Sequence, residues 1–256
     1  MWTKDHFNLI VPAFIVLIAL AIFLAWLLRG KSEKARRLPF QIMAIVLLIF
    51  EGMKQGYNMQ GGEYNEYALP FHFCSLFLYT YPLHAFYTGK HKKTANTIAF
   101  CCGASLFLFM LVMPAVVFSD GNIQQYFKSF DSFHTVTFHL YVCFYFFLMV
   151  AMKEFEMDTK RDVKVISIFY GGYAVVATAM SYIFDENFHN LLRSNLAAAE
   201  SVRLAIVENI GWVGQALYTL IMWVLTVAFA LIAYFAVKGL LMLISKIAKK
   251  LKKEQV

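Results

Sequence analysis

The chain of 256 residues is 60% apolar and 17% aromatic against only 15% charged, and its mean hydropathy of +0.59 exceeds what a water-soluble domain of this size hides in a core. That excludes an ordinary soluble enzyme and predicts an all-α polytopic membrane protein. The formal charge of +7 would by itself suit nucleic acid, but in a membrane chain the placement of basic residues outweighs their sum, and no nucleic-acid partner is expected.

The first apolar run, residues 9–28, has the roughly 20 residues needed to cross hydrocarbon. Its positive charges follow it (Arg29, Lys31, Lys34, Arg36, Arg37) and no small-residue cleavage site closes it, so it reads as an anchor and not as a signal peptide. Further runs at 38–57, 68–87, 94–118, 133–152, 165–184 and 210–237 complete a predicted seven-helix bundle in a single domain, 1–256. In the third run, Pro70 predicts a helix start, because its missing N–H has no intrahelical partner in a first turn. The longest connection, 185–209, is expected to be a loop. The four cysteines, Cys74, Cys101, Cys102 and Cys143, lie inside apolar runs with no metal-type spacing, so neither a structural disulfide nor a metal site is expected, and no cofactor is implied.

With the N-terminus outside and the C-terminus inside, the inner segments hold 18 of the 23 Lys and Arg residues, which is what the positive-inside rule asks for. A multi-pass protein of the cell membrane follows, with the bacterial cytoplasmic membrane as the expected location. The tail lysines Lys246, Lys249, Lys250, Lys252 and Lys253 are expected to lie on anionic inner-leaflet headgroups. Nothing in the sequence sets an oligomeric state.

Ionisable residues inside spans are costly and mark functional sites by default. Glu51, Cys74 and His139 each lie six residues from the outer end of their runs, which at 1.5 Å per residue puts all three about 9 Å below the outer boundary. Glu51 and Lys54, three apart, can pair on one helix face. His72 and Cys74, two apart, diverge on a helix, so the base for a Cys74 nucleophile must come from another helix. His139 matches Cys74 in depth and His134 is nearer the rim; both stay candidates. Beyond the sixth run, Asn187, His189, Asn190 and Arg193 form a polar segment able to hold an anionic headgroup or donate to an oxyanion. The plainer alternatives are a cysteine that packs, a histidine that is hydrogen-bonded in the core, and a Glu51–Lys54 pair that closes the bundle. A polar outer cavity of a transporter or solute-binding protein is the rival function.

The run Leu69-Pro70-Phe71-His72-Phe73-Cys74-Ser75-Leu76 is similar to the LP-x-H-x-C-x-L signature of the YwaF-like integral membrane proteins of Gram-positive bacteria, which resemble the eukaryotic transmembrane-protein-164 family. The histidine-bearing stretch from Ser132 to His139 and the outer segment from Asn187 to Asn195 resemble later parts of the same pattern. The resemblance implies an acyltransferase or lipid ester hydrolase acting on phospholipid acyl chains. Cys74 takes the nucleophile's place and His139 the base's, with His134 beside it; His72, Glu51, Lys54, Asn187, Asn190 and Arg193 stand as supporting or substrate-binding residues. Related androgen-induced hydrolases use a Thr and a His on a similar scaffold.

Overall fold

The computed structural model describes residues 2–60, 62, 64–194 and 197–254, with side chains as far as residue 250. Asn195, at the end of the outer motif, and the side chains of Lys252 and Lys253 lie outside that description. Among the described residues the chain is helical throughout, with no strand. The helices are α1 (Lys4–Leu27), α2 (Glu33–Met59), α3 (Phe77–Phe86), α4 (Lys92–Val112), α5 (Pro114–Val117), α6 (Asp120–Gln124), α7 (Phe130–Met152), α8 (Thr159–Ile183), α9 (Ala197–Ile210) and α10 (Trp212–Glu254). Six of them, α1, α2, α4, α7, α8 and α10, are long and apolar enough to cross a membrane.

Short polar side chains start these helices. Thr3, Ser32, Ser129 and Asp158 each accept a hydrogen bond from the backbone N–H three residues on, satisfying a donor that the first turn leaves unpaired. The central helices are α4 and α7, which bury 61% of their most apolar windows, where α1 buries 17%. The outer helices therefore turn large apolar side chains such as Ile15, Phe23, Ile49 and Leu225 away from the protein, and only a hydrocarbon surround makes that arrangement stable.

Gly103 lets the central pair approach closely: a Cβ there would stand 2.5 Å from the Phe146 ring and 2.8 Å from the Phe146 Cβ. Because the Phe146 Cβ cannot swing aside, Gly103→Ala is expected to cost about 1–3 kcal/mol, read as a lower unfolding temperature in detergent.

The two ends of the bundle are fixed by polar contacts. At the N-terminal face, Trp2 Nε1 donates to Leu111 O (2.8 Å) and Thr3 Oγ1 to Asp120 Oδ1 (2.5 Å), joining the start of α1 to the end of α4 and the start of α6. At the C-terminal face, Arg36 donates to Met152 O (3.2 Å), Arg37 to Ala85 O (2.9 Å), and Lys93 pairs with Glu156 at 2.8 Å. The segment between α2 and α4 thus runs from one face to the other, with α3 as its helical part.

Three stretches differ from the sequence expectation. The fourth run, expected to 118, breaks at Met113, because a residue before proline is pushed out of the helical region and Pro114 offers no N–H. The connection 185–209 is no loop: it contains α9, which turns at Gly211 (φ +59°) and folds back along α10, where Ile206 O would be 2.7 Å from a Cβ on Gly214. The seventh run, expected to end at 237, continues as α10 through the basic tail to Glu254. Its 43 residues span about 64 Å, well beyond the roughly 30 Å of a hydrocarbon core.

Candidate functional site

Cys74 lies in backbone that is not α-helical. The sequence predicts a helix from Pro70, with Cys74 about one turn inside it; α3 instead begins at Phe77, and Cys74 belongs to a 3-10 turn, Phe73–Leu76. Cys74 therefore precedes α3 and does not lie within its first turn. The physical reason is that side chains take the carbonyls a helix would need. Gln55 Nε2 donates to Ala68 O (2.9 Å), Tyr79 OH to Pro70 O (3.2 Å), Tyr173 OH to Phe71 O (3.0 Å), and His72 Nε2 to Tyr67 O (2.9 Å). Phe71 N and Ser75 N take the carbonyls of Leu69 and His72, so every carbonyl from Tyr67 to His72 is accounted for. Irregular backbone persists at membrane depth only where protein satisfies it or where it borders a wet cavity.

A second irregular stretch meets the first. After α8 the chain makes a 3-10 turn, Phe188–Asn190, with Asp185, His189 and Asn190 at positive φ. Phe188 is fully buried; its ring centroid is 5.4 Å from Phe71 and 5.1 Å from His72, while His189 stacks on Phe73 at 5.4 Å. Here too side chains receive the backbone: Ser181 Oγ accepts from Phe188 N (3.1 Å), Tyr218 OH donates to Asn190 O (2.9 Å), Thr219 Oγ1 to Leu191 O (3.0 Å) and Gln215 Nε2 to Leu192 O (3.1 Å). Asn187 spends its side chain inside this stretch, accepting from Leu192 N and Arg193 N (both 3.1 Å) and donating to Arg193 O (3.0 Å). Arg193 itself is exposed.

The end of α2 supplies the charge. Lys54 Nζ pairs with Glu51 Oε1 at 3.1 Å, both side chains largely shielded from solvent. The carboxylate also takes a hydrogen bond from Gln55, whose amide oxygen accepts from the Tyr64 phenol. Burial raises the Tyr64 phenol above its usual range, and the Glu51 carboxylate adds to the effect. Lys54 is the neighbour in sequence of Gln55, whose amide reaches the irregular segment at Ala68 O.

The two α7 histidines differ in what they offer. His139 Nδ1 stands 2.6 Å from Thr135 O, and since a carbonyl only accepts, that nitrogen carries the proton and Nε2 holds a lone pair. His134 sits among Phe50, Phe130 and Phe138 with its Nε2 buried and, among the described residues, without a hydrogen-bond partner. No hydrogen bond joins either ring to the Cys74 thiol. Cys74 is half-buried, whereas Cys101, Cys102 and Cys143 are fully buried and all four are free. Among the described residues no cluster of three or more His, Cys, Asp or Glu has the arrangement of a metal site.

Sequence reasoning missed Gln55, Tyr79, Tyr173, Ser181, Gln215, Tyr218 and Thr219, whose side chains hold the irregular backbone. Only Gln55, one turn after Glu51 on the same face, left a signal in the spacing.

A comparison with curated proteins and one with solved structures each return no match. A family model does match, over residues 1–237, which takes in both irregular segments and every helix except the basic end of α10. With an all-helical bundle of membrane-spanning character and a match of that extent, the chain belongs to the TMEM164 family.

Proposed function

We propose that this protein is a membrane-embedded enzyme that transfers or hydrolyses fatty-acyl esters of phospholipids, with Cys74 as nucleophile and His139 as base. The observation that supports it most is the irregular segment at Cys74, held out of the α-helix by side chains of three helices, Gln55, Tyr79 and Tyr173. In this reading the chain crosses seven times, N-terminus outside and C-terminus inside, and the site opens at the outer face of the cell membrane.

The chemistry follows from the groups. His139 Nε2 removes the thiol proton, and the thiolate attacks the ester carbonyl carbon to form a C–S bond. Lys54 steadies the oxyanion, a role in which Asn190 takes part. Collapse breaks the ester C–O bond; the leaving lysophospholipid oxygen takes the proton from His139, and the acyl group stays on Cys74 as a thioester. A lysophospholipid hydroxyl or water then gives its proton to His139, attacks the thioester and frees the thiol. The resting separation of thiol and imidazole closes when substrate binds, as catalytic hydrogen bonds often tighten only in the complex. An apolar groove of about 500 Å³ between α8 and α10, lined by Ser167, Leu220, Trp223, Val224, Val227 and Leu231, is a seat for an acyl chain. His134 replaces His139 as base if the mutants below say so.

The test is direct. Purified protein incubated with phospholipid and quenched in acid should carry an acyl mass on the Cys74 peptide that hydroxylamine removes. Product formation with Cys74 never acylated would defeat the assignment.

A second reading has one observation of its own: two broken segments meeting at membrane depth are also how transporters build binding sites. Solute uptake into proteoliposomes that survives Cys74→Ala would favour it. The basic end of α10 places Lys249 and Lys250 about one turn after Lys246, a face suited to anionic headgroups at about 1 kcal/mol per lysine near the surface.

A further inference from the structure

We propose that His189 is a positioning residue of the Cys74 site, locking the non-helical backbone that presents the thiol. The inference rests on the reading of Cys74 as the reacting residue. It begins with the imidazole's surroundings. Thr226 Oγ1 donates its single proton to Met222 O at 2.7 Å, so at 2.9 Å from His189 Nε2 it accepts, and His189 carries its proton on Nε2. The ring is thereby fixed to α10.

Its flat face lies on Phe73, the residue next to Cys74, at 5.4 Å and 18° between planes. On Phe73's account a third ring belongs to the arrangement, since Tyr170 of α8 lies 5.9 Å from it at 26°. Tyr173, 5.4 Å from His189, donates its hydroxyl to Phe71 O at 3.0 Å. Phe73 and the backbone two residues before it are therefore held by His189 and by the tyrosine against which His189 packs.

His189 does this from a left-handed backbone conformation, φ +56°, ψ +27°, followed by Asn190 at φ +57°. Two successive non-glycine residues in that region are strained and persist only where the surroundings over-determine them. Here the over-determining contacts are the Thr226 hydrogen bond, the Phe73 stack and the Tyr218 hydroxyl on Asn190 O at 2.9 Å.

The experiment reads the thiol and not the reaction. Protein in nanodiscs is treated with N-ethylmaleimide, and the alkylation rate of the Cys74 peptide is followed by mass spectrometry, with buried Cys102 and Cys143 as internal references. His189→Asn removes the ring but keeps a residue that tolerates positive φ. It should speed Cys74 alkylation about fivefold, the effect expected when one hydrogen bond no longer opposes local opening. Thr226→Val should act in the same direction, and Thr226→Ser, which keeps the acceptor, should restore the parental rate. A role confined to overall stability would lower the unfolding temperature and leave alkylation well below that temperature unchanged. Parental alkylation rates in both His189→Asn and Thr226→Val overturn the inference; if His189→Asn fails to fold, the Thr226 pair decides. Because no lipid turnover enters this measurement, loss of the enzymatic reading through an active Cys74→Ala protein leaves its outcome readable.

Discussion

Cys74→Ala is expected to abolish acyl release from labelled phospholipid, with a fall of at least about 10³-fold, because a reaction routed through a thioester has no first step without the sulfur. The substitution removes one atom from a half-buried position, so the unfolding temperature should stay within a few degrees of the parent. Cys143→Ala serves as the comparison: it alters a buried thiol on α7 that takes no part in the proposed chemistry. Of the two histidines, the one whose alanine variant falls as far as Cys74→Ala is the base. His139 is expected to be that one, since the proton on Nδ1 is committed to Thr135 O and Nε2 is left as acceptor. Full turnover by Cys74→Ala would end the nucleophile assignment whatever the histidines do.

The largest loss of stability is expected from Asp162→Ala, at about 3–5 kcal/mol. Asp162 is completely buried near the start of α8, where its carboxylate accepts from Thr97 Oγ1 of α4 and Tyr234 OH of α10, both at 2.9 Å. It also receives Arg161 Nε at 3.0 Å, Arg161 Nη2 at 2.9 Å and Asp158 N at 2.9 Å. Removing the carboxylate leaves a largely shielded guanidinium without its counter-charge and the buried Tyr234 hydroxyl without its acceptor, and releases three helices from one another at the C-terminal face. The measurement is thermal unfolding in detergent, with a fall of roughly 10 °C expected. Asp162→Asn keeps one acceptor oxygen and should lose less; equal stability of Asp162→Ala and parent would show that helix packing alone holds that end.

The sequence determined what depends on near neighbours and on composition. Runs of about 20 apolar residues demand helices in hydrocarbon, because no water is there to satisfy a bare backbone, and six of the expected spans are indeed long apolar helices. The Glu51–Lys54 pair was also legible, since three residues on a helix is a fixed geometry. The tertiary structure decided what depends on partners distant in sequence. Proline rules predict a helix from Pro70, yet Tyr173, 102 residues beyond Phe71, claims a carbonyl that helix would have used, and Gln55, 13 before Ala68, holds the backbone just ahead of it. The packing of the 67–76 segment against the 184–193 segment, and with it the place of His189, follows from ring contacts that no local period encodes. A helix is written in its own residues; a break in one, inside a membrane, is written in whichever side chains arrive to satisfy it.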